Sequence, residues 1–220
     1  MTAIAIDGPS GAGKSTLARR LASWLGYIYV DTGAMYRTVG LCAVKNGVDP
    51  KNSEAVAALL PNMKISLAYQ DGSQHVYLNG EDVSGQIRTE QISMAASDVS
   101  AIGEVRAFLL DTQRNMAASN NVLMDGRDIG TVILPHAKIK IFLTASPEER
   151  ARRRYEELVA RGEEVSYENV LADVRRRDEQ DSSRALAPLN PAPDAVVVDT
   201  TGYTFDESFE RLQQIIQERL

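Results

Sequence analysis

The chain has 220 residues, of which 44% are hydrophobic and 25% are charged, as in an ordinary globular protein. This composition argues against a disordered, collagen-like or coiled-coil chain, and the net charge of −6 argues against nucleic acid as a partner. No run approaches the roughly 18 apolar residues that cross a membrane, and no secretory signal is expected. The single cysteine, Cys42, cannot form an internal disulfide, which fits a reducing, cytoplasmic location.

Short apolar runs alternate with helical patterns along most of the chain. Runs of this kind are typical of buried parallel strands, and their alternation with helices predicts an α/β fold whose parallel sheet is flanked by helices. Strands are predicted at residues 3–7, 27–30, 122–125, 139–143 and 195–198, and helices at 15–25, 33–46 and 205–220.

One stretch interrupts this alternation. Residues 64–69 and 75–78 are both predicted as strands, and the segment Gln70-Asp71-Gly72-Ser73 between them favours a turn. A second turn is predicted at Asn79-Gly80. A local antiparallel unit inside a parallel chain indicates an insertion from about residue 62 to residue 90, which is either decoration or a flap that binds a substrate.

Residues 8–15 match the phosphate-binding P-loop pattern G-x-x-x-x-G-K-[ST] and lie between a predicted strand and a predicted helix. Lys14 is expected to reach the β- and γ-phosphates of ATP, and Ser15 is expected to bind Mg²⁺. No Asn-Lys-x-Asp segment for reading guanine is present, so a kinase of a small acceptor is the favoured class. The predicted ATP-binding residues of this segment are Gly8, Pro9, Ser10, Gly11, Ala12, Gly13, Lys14, Ser15 and Thr16.

Two charged clusters follow predicted strands, at the strand ends where ligands bind in open α/β sheets. In residues 31–37, Thr32 is either the N-cap of a helix or a ligand, and Arg37 can face the same anion as the helix N-terminus. In residues 125–128, two carboxylates and an arginine suit recognition of a phosphate and a base, although a charged surface turn is the alternative. Asp125 has a further possible role beside Mg²⁺.

Arginine dominates the cations, with 18 of the 24 basic residues, and its planar guanidinium can bind phosphate in a bidentate manner. In residues 147–161, Arg152 and Arg153 each have a glutamate four residues before and four residues after, so they are interpreted as exposed ion pairs. Arg154 has one acidic neighbour and Arg150 has none, and both are interpreted as a cap over polyphosphate.

The next helical pattern carries an apolar stripe at Tyr167 and at the residues three, four and seven positions later. The continuation of this stripe reaches Arg177, Asp181 and Arg184. Charged residues in register with a buried stripe are expected to face a polar cleft, and a solvated helix face is the alternative.

The chain resembles the bacterial-type cytidylate (CMP) kinases from residue 4 to about residue 199. The resemblance rests on Ile-Asp-Gly-Pro-Ser-Gly-Ala-Gly-Lys at 6–14, Asp-Thr-Gly-Ala-Met-Tyr-Arg at 31–37, Gly-Glu-Asp-Val-Ser at 80–84, Ile-Arg-Thr at 87–89, Asp-Gly-Arg-Asp-Ile-Gly-Thr-Val at 125–132 and Arg-Ala-Leu-Ala-Pro-Leu at 184–189.

This resemblance implies a P-loop kinase core with a monophosphate-binding insert and a helical lid at about residues 150–165. It also implies Mg²⁺-dependent, in-line transfer of the γ-phosphoryl group of ATP to CMP or dCMP. The alternatives are a kinase of another small metabolite and a module that binds ATP without turnover. Nothing in the sequence requires more than a monomer.

The resemblance further implies a role for each matching residue. Arg37 and Arg127 would hold the acceptor phosphate, and Asp181 would contact the sugar hydroxyls. Ser97, Arg106 and Asp128 would read the cytosine edge. Arg177 and Arg184 would bridge the transferring phosphoryl group, and Arg153 and Arg154 would lie in the lid over ATP. The implied substrate-binding set is Thr32, Tyr36, Arg37, Ser97, Arg106, Arg127, Asp128, Asp181 and Arg184, and the implied catalytic set is Lys14, Arg127, Arg154, Arg177 and Arg184.

Overall fold

The computed structural model describes residues 1–70 and 73–220. Within these residues the strands are β1 (Ala3–Asp7), β2 (Ile28–Asp31), β3 (Ile65–Gln70), β4 (Ser73–Leu78), β5 (Glu81–Asp82), β6 (Val122–Gly126), β7 (Ile139–Thr144) and β8 (Val196–Asp199). The helices are α1 (Lys14–Leu25), α2 (Thr32–Lys45), α3 (Ser53–Leu59), α4 (Glu90–Val99), α5 (Gly103–Ser119), α6 (Pro147–Ala160), α7 (Tyr167–Ser183) and α8 (Phe205–Gln217). Short 3₁₀ turns cover Leu60–Asn62 and Gln86–Arg88, and a π-helical turn covers Ile129–Ile133.

A five-stranded sheet with the order β2-β6-β1-β7-β8 runs through the molecule. β1 pairs in parallel with β6 and with β7, and β7 pairs in parallel with β8. The residues of β1 and β6 are buried almost throughout, because helices cover both faces of a parallel sheet. The predicted α/β class is therefore confirmed, and each predicted strand of this sheet lies within one residue of its observed position.

The chain divides into two compact units, of which the first comprises residues 1–29 and 120–220. α8 begins in a capping box, in which Thr204 and Glu207 each bond the backbone N–H of the other. Strand residues pack with α1 and α8 to form the core of this unit, which includes Ile4, Ile6, Leu21, Leu123, Ile141, Leu143, Leu212 and Ile216.

The second unit comprises residues 30–119 and contains a three-stranded antiparallel sheet with the order β3-β4-β5. The predicted hairpin strands are confirmed, but Asp71 and Gly72 of the predicted first turn lie outside the described residues. Asn79 and Gly80, with φ values of 52° and 89°, form the predicted second turn before β5. The role predicted for this sheet in binding a substrate stays a prediction.

Two helices of the second unit, α2 and α4, approach each other at a glycine. A Cβ on Gly40 would lie 3.0 Å from the Cβ of Ala95, which is closer than side chains normally approach. Gly40 therefore allows α2 to pack directly against the backbone of α4, and α2 carries several of the predicted substrate-binding residues. In the described part of the chain, no helix combines the length and the apolar character that a membrane span requires.

Candidate active site

Glycines shape the P-loop at positions where a side chain would not fit. Gly8 has a φ of 149°, and a Cβ there would lie 1.9 Å from the carbonyl oxygen of Leu143 in β7. Gly13 has a φ of 83° and directly precedes α1, so this helix begins with backbone N–H groups and no capping side chain. A helix N-terminus of this kind binds phosphate oxygens through its N–H groups and its dipole.

Lys14 is buried beside the loop, and its ammonium donates a hydrogen bond to the Pro9 carbonyl oxygen at 2.6 Å. Burial, followed by the positive charge of Arg127, lowers the pKa of Lys14 well below its usual range. Asp125 and Asp181 act in the opposite direction but with smaller effect. Because a phosphate at the P-loop favours the charged ammonium, binding of a polyphosphate relieves the cost of burying this cation.

A hydroxyl and a carboxylate are paired at the start of α1. The Ser15 hydroxyl donates to Asp125 Oδ2 at 2.8 Å, and the Tyr29 hydroxyl donates to Asp125 Oδ1 at 3.0 Å. Mg²⁺ is usually held by one or two protein oxygens together with phosphates and water. In the described residues, no group of three or more His, Cys, Asp or Glu could hold a metal alone. The Ser15 hydroxyl and the Asp125 carboxylate supply two oxygens of this kind, which fits a Mg²⁺ ion that binds together with a nucleotide.

Sequence reasoning missed Asp7, the last residue of β1. Its two carboxylate oxygens accept hydrogen bonds from the backbone N–H groups of Ile129 and Gly130, each at 2.7 Å. These two residues open the π-helical turn that follows Asp128, so Asp7 positions this loop. Burial is the main cause that raises the pKa of Asp7 to about 6, although the two hydrogen bonds oppose it. An aspartate directly before the P-loop was the available signal, but its partners lie 122 and 123 residues later.

Asp125, near the end of β6, and Asp128, just after this strand, are both buried, so the alternative of a charged surface turn is wrong. Arg127 Nε donates to Asp181 Oδ2 at 2.8 Å, which links this loop to α7. Burial raises the pKa of Asp181, but the guanidinium groups of Arg127 and then Arg184 outweigh it and hold this pKa below the usual value. The ionised carboxylate of Asp181 therefore holds Arg127 in place.

The predicted apolar stripe of α7 is confirmed, because it packs with Ala151 and Leu158 of α6. Its continuation is buried at Asp181 and at Arg184, the C-cap residue directly after α7, so a solvated helix face is wrong for these two residues. Arg184 lies 3.8 Å from Asp181 and donates to the Ala187 carbonyl oxygen at 3.1 Å. The structure thus brings together the predicted residues Lys14, Ser15, Arg127, Asp181 and Arg184 of the first unit.

Arg150 is not a cap over polyphosphate, and this interpretation from the sequence is wrong. Its side chain is only 3% exposed, and it forms a bidentate ion pair with Asp178 of α7 at 2.9 and 2.5 Å. Its remaining contacts are to the carbonyl oxygens of Ala145 and Ser10. The sequence interpretation considered only acidic neighbours on the same helix, and the partner lies on the next helix.

Three other arginines of α6 form ion pairs within their own helix. Arg152 pairs with Glu156 as predicted, but its second partner is Glu149 and not Glu148, which pairs with Arg175 instead. Arg153 also contacts Glu149, at 3.1 Å, and donates to the Thr200 carbonyl oxygen. Arg154 pairs with Glu157 at 2.9 Å. The roles predicted for Arg153 and Arg154 over ATP stay predictions.

In the second unit, Asp31 is the N-cap of α2, and the N-cap role considered for Thr32 is wrong. The Asp31 carboxylate accepts from the Ala34 N–H at 2.9 Å and from the Arg37 guanidinium at 2.7 Å. Burial opposes ionisation, but Arg37, this N–H group and Arg88 hold the pKa of Asp31 below its usual value. Thr32 is the first residue of the helix, and its side chain is buried.

Three further predicted residues of the second unit, Ser97, Arg106 and Tyr36, are linked by contacts through Ser100 and Arg106. The Ser100 hydroxyl donates to the Ser97 carbonyl oxygen at 2.8 Å, and Arg106 donates to the Ser100 carbonyl oxygen at 3.1 Å. The guanidinium carbon of Arg106 lies 5.8 Å from the ring centroid of Tyr36. Among the described residues, the buried Ser97 hydroxyl and the buried Arg37 Nε have no hydrogen-bond partner. Both groups retain the capacity to bind a polar ligand.

Comparison with known proteins assigns the chain to a family. The model of the cytidylate kinase family matches residues 4–218. The cytidylate kinase of Geobacter sulfurreducens is 51% identical over 98% of this chain and 93% of its own length, and that of Carboxydothermus hydrogenoformans is 50% identical over 97% and 96%. The solved structure of an uncharacterized protein from Eubacterium ventriosum is similar with a TM-score of 0.54 over both whole chains, but at 11% identity it shows the fold alone. The chain therefore belongs to the cytidylate kinase family.

Proposed function

We propose that this protein is a cytidylate kinase that transfers the γ-phosphoryl group of ATP to CMP or dCMP, giving ADP and CDP or dCDP. One observation carries the donor half of this proposal. Lys14, the Ser15–Asp125 pair and the Arg127–Asp181–Arg184 chain converge within the first unit. Membership of the cytidylate kinase family, whose matched relatives carry this name, supports the acceptor half.

ATP is proposed to bind with its phosphates against the P-loop and the N-terminus of α1. The Lys14 ammonium then exchanges the Pro9 carbonyl oxygen for the β- and γ-phosphate oxygens. Ser15 and Asp125 would hold Mg²⁺, which would neutralise part of the charge of the phosphates. Arg153 and Arg154, on the helix after β7, are proposed to cover the polyphosphate once their glutamate partners, Glu149 and Glu157, are displaced.

The chemical step is proposed to be an in-line transfer without a covalent enzyme intermediate. The phosphate of a nucleoside monophosphate is largely ionised at neutral pH, so no general base is required. Charge spreads over the equatorial oxygens of the moving phosphoryl group, and cations placed in advance stabilise it. Lys14, Arg127, Arg177 and Arg184 are proposed to supply this charge, and Asp181 orients Arg127.

The residues proposed to bind the acceptor include buried groups without a hydrogen-bond partner and other buried polar groups. Arg37 and the hydroxyl of Ser97 have buried hydrogen-bonding groups without a partner in the described residues, which supports contact with the phosphate and the base respectively. Arg106 is linked to Ser97 through Ser100, and Tyr36 lies beside Arg106. Asp128 is a buried carboxylate suited to accept from the cytosine amino group, and Thr32 supplies a buried hydroxyl. We further propose that the enzyme acts as a cytoplasmic monomer without a nucleic acid or membrane partner.

A panel of acceptors tests this proposal directly. ADP production from ATP and Mg²⁺ is measured with CMP, dCMP, UMP, AMP and GMP, with a reaction that lacks acceptor as the control. We expect strong turnover with CMP or dCMP and little with the purine nucleotides. Turnover with a purine monophosphate alone would contradict the cytosine assignment, and absence of turnover with the whole panel would contradict a nucleoside monophosphate kinase.

A further inference from the structure

Arg150 contacts three separate parts of the first unit from the first turn of α6. Its Nε donates to the Ala145 carbonyl oxygen at 2.8 Å, just after β7, and one terminal nitrogen donates to the Ser10 carbonyl oxygen of the P-loop at 2.9 Å. The same nitrogen and its neighbour form the bidentate pair with Asp178. A side chain that is 3% exposed and bonded in this way is held in one orientation.

The contact with Ser10 determines how one peptide of the P-loop is oriented. In a planar trans peptide the carbonyl and the next N–H point in opposite directions. Because the Ser10 carbonyl points at Arg150, the Gly11 N–H points away from α6. Gly11 has a φ of 76°, and a Cβ there would lie 3.2 Å from the Arg150 Cβ, so the loop rests directly on this residue. In a P-loop, successive backbone N–H groups form a concavity that binds the phosphates, so the orientation of each peptide affects phosphate binding.

Asp178 holds Arg150 from α7, and the same helix also carries Asp181. Residues three apart lie on one face of a helix, within a single turn. Asp178 thereby contacts the side chain that supports the P-loop, and Asp181 contacts Arg127 at 2.8 Å. Two ion pairs therefore start from one turn of α7. The first, through Arg150, leads to the loop proposed to bind the donor, and the second leads to Arg127, which is proposed to bind the acceptor.

We propose that Arg150, held by Asp178, is a positioning residue that sets the Ser10–Gly11 peptide for the donor phosphates, and that α7 couples donor binding to acceptor binding. Neither side chain touches a substrate in this account. The inference rests on the proposed use of an adenine nucleotide as donor. It explains why an arginine in an arginine-rich helix is buried and paired across two helices, whereas Arg152 of the same helix is half exposed.

The test uses Asp178→Asn, which keeps the shape of the side chain but removes its charge. The matched control is Asp173→Asn, which makes the same change in an exposed pair with Arg176 on the same helix. ADP affinity is measured by isothermal titration calorimetry with the full-length protein, with and without saturating CMP. ADP and CMP form a complex that cannot react, so binding is separated from turnover. Thermal unfolding of each variant is recorded in parallel.

We expect Asp178→Asn to weaken ADP binding by about tenfold, the effect of losing one charge-assisted hydrogen bond that orients the loop. We also expect CMP to change ADP affinity by about fivefold or more in the wild type and in Asp173→Asn, and by less than twofold in Asp178→Asn. Unchanged ADP affinity in Asp178→Asn would overturn the proposal, even if the midpoint of thermal unfolding were lower. Arg150 would then stabilise the fold without positioning the loop for the donor. Weaker ADP binding with undiminished coupling to CMP would overturn the role of α7.

Loss of a buried partner can prevent folding, so a second variant keeps the inference testable. The double variant Arg150→Met with Asp178→Leu replaces the ion pair with apolar side chains and leaves no donor for the Ser10 carbonyl. We expect it to fold and to bind ADP about tenfold more weakly than the wild type, whereas wild-type ADP affinity would contradict the proposal. A wild-type protein that bound CMP but no ADP would contradict the proposed donor itself, and the inference with it.

Discussion

The two units of the molecule treat their buried polar groups differently. In the first unit the cations are already bonded: Lys14 to the Pro9 carbonyl oxygen, Arg127 to Asp181, and Arg150 to Asp178. In the second unit the Ser97 hydroxyl and the Arg37 Nε are buried without a hydrogen-bond partner among the described residues. These three cations of the first unit are compensated internally, although the buried Thr131 hydroxyl of the same unit also has no hydrogen-bond partner among the described residues. The two groups of the second unit leave hydrogen-bonding capacity for a ligand.

This difference has an energetic meaning. A buried polar group without a partner costs about 1–3 kcal/mol, so the second unit carries a cost that a bound ligand would remove. The internal pairs of the first unit fix the geometry of the P-loop and of Arg127 before any ligand arrives, as electrostatic preorganisation requires. Substitution of the paired groups of the first unit should therefore affect turnover or stability, whereas substitution of the unpartnered groups of the second unit should affect acceptor affinity with little loss of stability.

The largest effect is expected from Lys14→Ala in the first unit. Turnover should fall by about a thousandfold or more, since this ammonium is proposed to stabilise the charge of the moving phosphoryl group. The protein should remain folded, because burial disfavours the charged form of Lys14 in the absence of nucleotide. Steady-state kinetics with CMP and thermal unfolding measure the two quantities. Lys45→Ala, which removes an exposed partner of Glu81, is the control, and near-normal turnover of Lys14→Ala would remove the P-loop from the mechanism.

A second prediction concerns the pH dependence of the first unit. The pKa of Asp7 is raised by burial to about 6 in the folded protein, against about 3.9 for an exposed aspartate. The folded state therefore binds this proton more tightly, so the contribution of Asp7 to the free energy of unfolding is greatest below pH ~4 and is lost as the pH rises through 6. For a shift of about two pH units the loss is about 3 kcal/mol.

Urea unfolding of the wild type and of Asp7→Asn between pH 4 and pH 7 measures this contribution. The difference between the two free energies of unfolding should change by about 3 kcal/mol across this range, with the wild type losing more as the pH rises. Asp206→Asn removes the charge of an exposed partner of Arg20 and is the control, and the difference between its free energy of unfolding and that of the wild type should stay nearly constant over this pH range. A constant difference between Asp7→Asn and the wild type would show that the pKa of Asp7 is the same in the folded and unfolded states.

Local patterns were sufficient to predict the P-loop and the parallel strands. Gly8 is required by the close approach of the loop backbone to β7 and Gly13 by its φ of 83°, and the motif itself encodes both positions. The strands after β1 were predicted because short apolar runs between helical patterns are typical of buried strands in a globular fold. The burial of Asp181 and Arg184 also followed from a local signal, the register of the apolar stripe on α7.

Partners that are distant in the sequence could not be predicted in this way. Arg150 was misinterpreted because Asp178 lies 28 residues later, on another helix. The Tyr29–Asp125 hydrogen bond joins residues 96 apart, and no periodicity relates them. The unpartnered state of the Ser97 hydroxyl depends on every side chain around it, so it becomes visible only when the packing of α4 is known. Its role was supplied by family resemblance and not by its neighbours in the sequence.

The smallest effect, and the most specific to the second unit, is expected from Ser97→Ala. The KM for CMP should rise by about tenfold, the loss of one hydrogen bond to the acceptor, while kcat stays close to that of the wild type. The free energy of unfolding should stay unchanged or increase slightly, because the variant no longer buries a hydroxyl without a partner. Steady-state kinetics with varied CMP and urea unfolding report the two quantities.

Ser100→Ala, three residues after Ser97, is expected to have the opposite effect: a loss of stability with little change in the KM for CMP. Its hydroxyl donates to the Ser97 carbonyl oxygen, so its removal leaves a buried acceptor short of a donor and should lower the free energy of unfolding by about 1 kcal/mol. The KM for CMP should change less in this variant than in Ser97→Ala. Ser97→Ala could instead lose stability and keep the wild-type KM for CMP. That result would show that the Ser97 hydroxyl stabilises the packing of α4 and does not bind the acceptor, and the contrast between paired groups in the first unit and ligand-binding groups in the second would fail.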